Sequence, residues 1–404
     1  MNIKELLSKE TVNPGRQKEI DLIKAFSIIM MIITHCIEEL FVYEGHLPSV
    51  IIVDVLNRTI GASAFMICMG IGIVYAKSKA PKTYLQRGLS LLIVGQVLNL
   101  FRYALPYGID YLVTGEETSR KLAFLVFSSD IMQFAGLTFL VLALLTYMHL
   151  SELMIFIVSV VLNVSGMLLS LRVDTGIYAL DQLTGLFVFT TSESYFPFFN
   201  WFIYPAFGIL FGSILKRVND KKRFYLFLLV PTGILTAIYY VVALFFDQPF
   251  LVSLKDAKNF SCVGIFDAVM QLFIVTFIIS LAFFVTNVMP EKAEKAVRFV
   301  SGNINRFYCV QWTVIVSIAV IISFVSERSS AISAGACYGL ALFVIAVTWI
   351  LVLVYAKYLA EGVSRFISKR KYLWYVLAVI ICIVICRWAY TGQPMPNLFN
   401  DYLE

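Results

Sequence analysis

The chain has 404 residues, of which 60% are hydrophobic and 14% charged, and its mean hydropathy is +0.83. These values exclude an ordinary soluble protein and indicate a protein that lies in lipid. The formal net charge of +6 raises the question of a nucleic-acid partner, but the basic residues stand in short clusters between apolar stretches. Orientation in a membrane explains that pattern, so we expect no nucleic-acid binding.

Apolar stretches long enough to cross a hydrocarbon core of about 30 Å follow one another along the chain. They lie at residues 20–41, 59–76, 88–104, 130–148, 153–171, 198–215, 224–246, 262–288, 307–325, 331–356 and 374–390. This pattern predicts an all-α, polytopic integral membrane protein of about eleven transmembrane helices. The stretches leave no room for a separate folded module, so we expect a single membrane domain over residues 1–404.

The loops between these stretches carry Lys and Arg unevenly. If the N-terminus is cytosolic, most of the 32 Lys and Arg residues fall in cytosolic loops, which predicts an N-in, C-out orientation in the cell membrane. The polar N-terminus, residues 1–21, lacks the apolar core of a signal peptide. We therefore expect the first helix to remain and to act as its own insertion signal.

The seven cysteines form no CxxC pair and show no spacing typical of a metal site or a disulfide framework. Most of them fall inside apolar runs, where cysteine is a small packing residue. The sequence therefore predicts no metal cofactor.

The first apolar stretch carries two ionisable residues at a helical spacing. Lys24 and His35 are eleven positions apart, which in an α-helix is about three turns plus 20° and a rise of about 16 Å. Both side chains therefore point along one groove. Ionisable groups inside a span are costly unless they face a cavity or a partner, so these two are the first candidates for a functional site.

A cation at the inner mouth and an imidazole deeper in the groove suit an extended anionic donor such as acyl-CoA. Lys24 would hold its phosphates, and His35 would take the proton from an acceptor hydroxyl. Arg87, in the first inner basic cluster, is a second candidate for the donor's head. A simpler interpretation is that Lys24 reaches the lipid headgroups and that His35 joins a helix contact.

The run from Asp21 to Lys24, followed after ten residues by His35, resembles the opening helix of the transmembrane acyltransferase superfamily. That superfamily includes acyltransferase family 3 and the heparan-alpha-glucosaminide N-acetyltransferase-like proteins. In acyltransferase family 3 the pattern is Arg, ten residues, His, so Lys24 stands at the Arg position. Lysine offers a point charge and not a planar fork, which implies weaker or differently arranged phosphate binding.

Three other stretches are similar to this superfamily. Residues 63–70, with the basic segment at 77–87, resemble its second helix and first inner loop. Residues 195–217 resemble its helix with Pro, Trp and Gly-x-x-x-Gly. Residues 301–312 resemble a late helix that often has histidine where Gln311 stands. The resemblance implies an all-α membrane enzyme that uses acetyl-CoA as a co-substrate.

His46 follows His35 by eleven positions and is a second candidate base. In the heparan-glucosaminide branch a catalytic histidine stands shortly after the first helix, at the outer mouth, and His46 lies in the comparable place. The competing interpretation is an exposed loop histidine, because loop positions tolerate histidine freely.

Several amide and charged side chains lie close to the expected outer ends of the early helices. An acyl transfer needs donors near the developing oxyanion, and Asp130 can orient His35 or cap the fourth helix. The candidates for the acceptor and the oxyanion are Asn57, Arg58, Gln96, Asn99, Arg102, Asp130 and Gln133. Ordinary hydrogen bonding between helices is the competing interpretation for the whole group.

These observations predict a membrane-bound acyltransferase that moves an acyl group, expected to be acetyl, from cytosolic acyl-CoA. As the resemblance implies, the acceptor would be a hydroxyl or amine of an extracytoplasmic carbohydrate or envelope molecule, reached directly or through an acyl-histidine. The competing hypotheses are a secondary transporter of a small solute and a non-catalytic membrane sensor or scaffold. Besides membrane lipid and this acceptor, the sequence identifies no partner, and it does not determine the oligomeric state.

Overall fold

A computed structural model describes residues 6–40, 56, 60–170, 173, 175, 177–190, 194–246, 261–325, 332–369 and 371–389. His46, Asn57 and Arg58 lie outside the described residues. In the described ranges the chain forms helices and two isolated β-bridges, and no β-strand.

In the described ranges up to Trp201 the chain forms nine α-helices. They are Lys18–Leu40 (α1), Ala62–Val74 (α2), Pro81–Asn99 (α3), Leu105–Thr114 (α4), Glu117–Leu122 (α5), Ile131–Tyr147 (α6), Glu152–Leu169 (α7), Tyr178–Thr184 (α8) and Phe198–Trp201 (α9). A π-helical turn at Leu100–Ala104 joins α3 to α4, and a 3-10 helix at Ala123–Phe127 follows α5.

Further α-helices follow in the described ranges after Trp201. They are Ile203–Leu215 (α10), Lys221–Phe246 (α11), Ile265–Asn287 (α12), Glu291–Gly302 (α13), Ile304–Val325 (α14), Ala334–Val354 (α15), Ala360–Lys369 (α16) and Lys371–Ala389 (α17). A second π-helical turn, Tyr355–Leu359, joins α15 to α16.

Within the described residues, eight helices are long and apolar enough to cross a membrane. Three shorter apolar helices, Ala62–Val74, Ile131–Tyr147 and Leu373–Ala389, occupy the remaining predicted positions. The structure thus confirms an all-helical, multi-pass membrane protein. The count of eleven spans and the N-in, C-out orientation stay predictions.

Helix α1 is the structural centre of the site. It packs against α2, α12, α13, α14 and α15, and most of its residues from Glu19 to Ile32 are buried. Because its neighbours cover it on several sides, the polar side chains of Glu19, Asp21 and Ser27 are buried against protein.

Two helix pairs pack so closely that glycine is required at the contact. A Cβ on Gly70 of α2 would overlap the carbonyl oxygen of Pro205 in α10, and a Cβ on Gly208 would overlap that of Ile67. In the pair α3 and α6, a Cβ on Gly88 would lie 2.8 Å from the carbonyl oxygen of Gly136. Small residues at helix contacts allow this approach in membrane proteins, where apolar surface alone drives no association.

The segment before α1 is tied to the same end of the bundle. The Leu6 carbonyl accepts from the Asn219 backbone at 2.9 Å, just after α10. Asp21 pairs with Arg16 and accepts a hydrogen bond of 2.6 Å from Ser301. These contacts fix the start of α1 against the ends of α10 and α13.

Candidate active site

His35 lies in the last turns of α1, half-buried between helices. Its imidazole stacks on the indole of Trp312, with 4.1 Å between ring centroids, and meets the ring of Tyr308 edge-on at 6.3 Å. Its Nδ1 is 3.4 Å from Nε2 of Gln311. Tyr308, Gln311 and Trp312 all belong to α14. Because positions three and four apart share a helix face, all three side chains can reach His35 together.

Arg102 adds a cation to this histidine. It comes from the π-helical turn between α3 and α4, a local widening that often occurs at functional sites. Its guanidinium binds Asp130 at 2.9 Å and Glu39 at 3.1 Å, and its side chain is 8% exposed. The same guanidinium lies over the Trp312 ring, 3.2 Å from the centroid. Trp312 therefore contacts both the imidazole and the cation.

Asp130 has two roles that the structure separates. As the N-cap of α6 it accepts a hydrogen bond of 2.6 Å from the Ile131 backbone, and Gln133 completes a capping box by accepting from the Asp130 backbone at 3.3 Å. Its other oxygen accepts from Arg102 and, at 2.7 Å, from the Tyr308 hydroxyl. The carboxylate forms no hydrogen bond with His35 in the described structure, so it does not orient that ring directly.

Gln96 and Asn99 hold the main chain that leads into Asp130. Gln96 donates to the Val126 carbonyl at 2.7 Å. Asn99, 1% exposed, donates to the carbonyls of Val126 and Ser128, both at 3.1 Å. Their amide nitrogens thus pin the 3-10 helix beside the site, which favours the interpretation of hydrogen bonding between helices. A role toward a reactant stays a prediction.

Lys24 lies half-buried on α1, against the second helix. A Cβ on Gly72 would be 3.3 Å from its Nζ, so this ammonium packs closely against the glycine. No hydrogen-bond or ion-pair partner for Nζ is found among the residues that the structure describes. A cation for which the described residues supply no acceptor is suited to an anionic ligand.

Basic residues cluster at the same end of α2. Lys216 donates to the Val74 carbonyl at 2.7 Å and lies 4.9 Å from the Tyr75 ring centroid. Burial lowers the pKa of Lys216, and the positive charge of Lys79 lowers it further. Arg87 is exposed on α3, with its guanidinium 5.9 Å from the Phe139 ring. No described contact joins Arg87 to Lys24, so its role in donor binding stays a prediction.

Several buried polar atoms near His35 and Arg102 have no hydrogen-bond partner in the described structure. They are Oγ1 of Thr34, Nε of Arg102, Oγ of Ser128, Oγ of Ser129 and Oε1 of Gln311. Each such atom costs about 1–3 kcal/mol if it stays unpaired. Buried donors and acceptors that have no protein partner are the groups that can form hydrogen bonds with a polar reactant.

Sequence reasoning missed Glu39, Tyr308 and Trp312. Glu39 follows His35 by four positions, a spacing that places both on one face of α1. That spacing could have indicated Glu39 as a site residue. Tyr308 and Trp312 are aromatic residues in an apolar stretch, and nothing in the sequence distinguishes them from packing residues. In the described ranges, no group of three or more His, Cys, Asp or Glu residues is placed to hold a metal ion.

The helices and this cluster define a multi-pass membrane protein with a histidine-centred polar site inside the bundle. The family model of the heparan-alpha-glucosaminide N-acetyltransferase catalytic domain matches residues 16–242, more than half of the chain. The chain therefore belongs to this family and is an acetyltransferase-type membrane enzyme. None of the curated proteins and none of the solved structures matches it.

The family match covers only part of the site. His35, Arg102 and Asp130 fall within residues 16–242, whereas Gln311 and the other α14 residues fall outside. The cluster is therefore completed by a helix that the family model does not cover.

Proposed function

We propose that this protein transfers an acetyl group from cytosolic acetyl-CoA to a hydroxyl or amine of an extracytoplasmic carbohydrate or envelope molecule, in the cell membrane. The observation that carries the proposal is the arrangement on α1. An ammonium for which the described residues supply no partner and a histidine in a polar cluster stand on one face of a single unbroken helix, Lys18–Leu40.

The donor would enter at the Lys24 end. Lys24 packs against Gly72 in α2, and Lys216 and Lys79 add positive charge at the nearby end of that helix. Such a concentration of cations suits the phosphates of a nucleotide head. The rise of about 16 Å along α1 would bring the extended arm and its thioester to His35.

The acceptor would meet the thioester at His35. In the proposed step His35 takes the proton from the acceptor hydroxyl or amine, the acceptor's oxygen or nitrogen forms a bond to the thioester carbonyl carbon, and the C–S bond breaks. The proton then passes from His35 to the departing thiolate, which leaves as free thiol. Arg102 Nε and the open serine hydroxyls would supply hydrogen bonds to the carbonyl oxygen as its negative charge develops.

His46 is the competing base, because this family is the branch in which the resemblance places a catalytic histidine after the first helix. It lies outside the described residues, so experiment must decide between the two. The chain has three histidines, and the third, His149, is an exposed turn residue with φ 57°. Asparagine tolerates that conformation, so His149→Asn is the matched control.

The test is to purify the protein in detergent and to measure acetyl-CoA binding and slow thioester hydrolysis. We expect His35→Ala to abolish turnover and to leave binding intact, Lys24→Ala to weaken binding, and His149→Asn to change neither. Loss of turnover in His46→Ala alone would move the base to His46. If the wild-type protein neither binds nor hydrolyses acetyl-CoA, the proposal is wrong and a transporter or a non-catalytic scaffold becomes the better account.

A further inference from the structure

Gln311 is the only described residue that forms a hydrogen bond with the His35 ring, at 3.4 Å between its Nε2 and the ring's Nδ1. Gln311 is fully buried, with an exposed fraction of 0%. Its Oε1 has no hydrogen-bond partner in the described ranges. One end of the amide therefore contacts the imidazole, and the other has no hydrogen-bond partner among the residues that the structure describes.

The carboxylates nearest this cluster are already engaged. Asp130 binds Arg102 and Tyr308, and Glu39 binds Arg102. In the described part of the chain, neither forms an ion pair with His35. The titratable and charged groups of this cluster are Arg102, Asp130, Tyr308 and Glu39, and Glu38, Cys36 and Cys337 lie on or against the same stretch of α1. The orienting partner of this histidine is thus a neutral amide.

A neutral imidazole carries its proton on either Nδ1 or Nε2, and its hydrogen-bond partner decides which. An amide has a donor end and an acceptor end, so it can pair with either form. While Gln311 Nε2 donates to Nδ1, the proton of His35 is on its own Nε2, and that nitrogen can only donate. His35 can accept a proton at Nε2 only when Nδ1–H donates to Gln311 Oε1.

We infer that Gln311 is a positioning residue that selects which nitrogen of His35 carries the proton, and that its amide must turn for His35 to act as a base. This inference rests on the proposed function for its catalytic consequence. A turn about the Cγ–Cδ bond exchanges the two ends of the amide in nearly the same space. In the turned state Oε1 accepts Nδ1–H, and Nε2 of His35 takes the acceptor's proton and returns it to the thiolate.

The test uses Gln311→Glu and Gln311→Leu. An ionised glutamate can accept hydrogen bonds but cannot donate them, so it keeps the His35 proton on Nδ1. Leucine is similar in size and removes the hydrogen bond. We expect Gln311→Leu to lower kcat about 100-fold with little change in KM for acetyl-CoA. Gln311→Glu should retain turnover, with the acid limb of its pH–rate profile moved up by about one to three pH units. The matched control is Gln271→Glu, which adds the same charge where the amide binds Ser63 at 2.8 Å.

A second readout does not depend on activity. With three histidines in the chain, ¹⁵N-histidine labelling gives few signals, and His35→Ala identifies those of His35. We expect the resting wild-type protein to carry the His35 proton on Nε2 and Gln311→Glu to carry it on Nδ1, with Gln271→Glu unchanged from wild type.

The two readouts separate the two failures. If the wild-type protein shows no turnover, but the His35 tautomer differs between wild type and Gln311→Glu as expected, the proposed function is wrong and the positioning role stands. An unchanged tautomer in Gln311→Glu, or a pH–rate profile identical in Gln311→Glu and wild type, would overturn the inference itself.

Discussion

Replacing Arg102 by methionine tests the polar cluster directly. The change keeps a long side chain but removes the cation that joins Asp130 to Glu39. The Asp130 side chain is 10% exposed and that of Glu39 is 34% exposed. Loss of the cation therefore costs more free energy at Asp130 than at Glu39. Breaking a buried ion pair by removing one member costs about 3–5 kcal/mol. Asp130 keeps the hydrogen bonds from Tyr308 and Ile131, which places the expected loss at the lower end, about 3 kcal/mol.

Thermal unfolding in detergent measures this loss. Cys36, Cys68 and Cys337 are buried free thiols, so a thiol-reactive fluorescent dye reports their exposure as the protein unfolds. We expect the unfolding midpoint of Arg102→Met to fall by several degrees. The matched control is Arg306→Met, because Arg306 is exposed and binds only Asn303 and the Tyr355 ring among the described residues. Exposed contacts of this kind contribute about 0–1 kcal/mol.

A double variant makes the test stricter. In Arg102→Met with Asp130→Asn, no unpaired carboxylate remains at position 130, and asparagine still caps α6. We therefore expect the double variant to lose clearly less stability than the sum of the two single losses. The reasoning is refuted if Arg102→Met unfolds at the wild-type temperature, or if the two losses simply add.

Three further predictions follow from other contacts. Gly70→Ala should separate α2 from α10, because its Cβ would overlap the Pro205 carbonyl, and the unfolding midpoint should fall. Gly339→Ala, where a Cβ meets open space, should leave the midpoint unchanged, and equal midpoints in the two variants would contradict the packing. Lys24→Met should weaken acetyl-CoA binding about tenfold by losing one phosphate contact, and Lys24→Arg should retain it, as binding assays on the two variants would show. Asn99→Ala should cost about 1–3 kcal/mol of stability through its two lost hydrogen bonds and leave the KM for acetyl-CoA unchanged; a changed KM would instead indicate contact with the reactant.

The hydrophobic pattern alone was enough to locate the long apolar helices, but not shorter ones such as Leu105–Thr114 and Glu291–Gly302. Every predicted apolar stretch falls on a helix, because burial in lipid requires long apolar segments whose backbone groups are satisfied internally. The helical period also placed Lys24 and His35 on one face of α1, since that relation depends only on residue spacing within one helix.

Contacts between distant segments were beyond the sequence. The sequence offers Asp130 as an orienting partner of His35, yet its carboxylate binds Arg102 and Tyr308. Gln311 instead forms the hydrogen bond with the His35 ring. Gln311 and His35 are 276 positions apart, and no periodicity relates residues on different helices.

The sequence by itself determined the membrane class, the position of the apolar helices and the shared face of Lys24 and His35, because these depend on local composition and on the geometry of a single helix. Only the tertiary structure decided which groups surround His35. The packing of α1 against α14 and the position of the π-helical turn set those contacts, and both depend on how side chains from separate helices fit together.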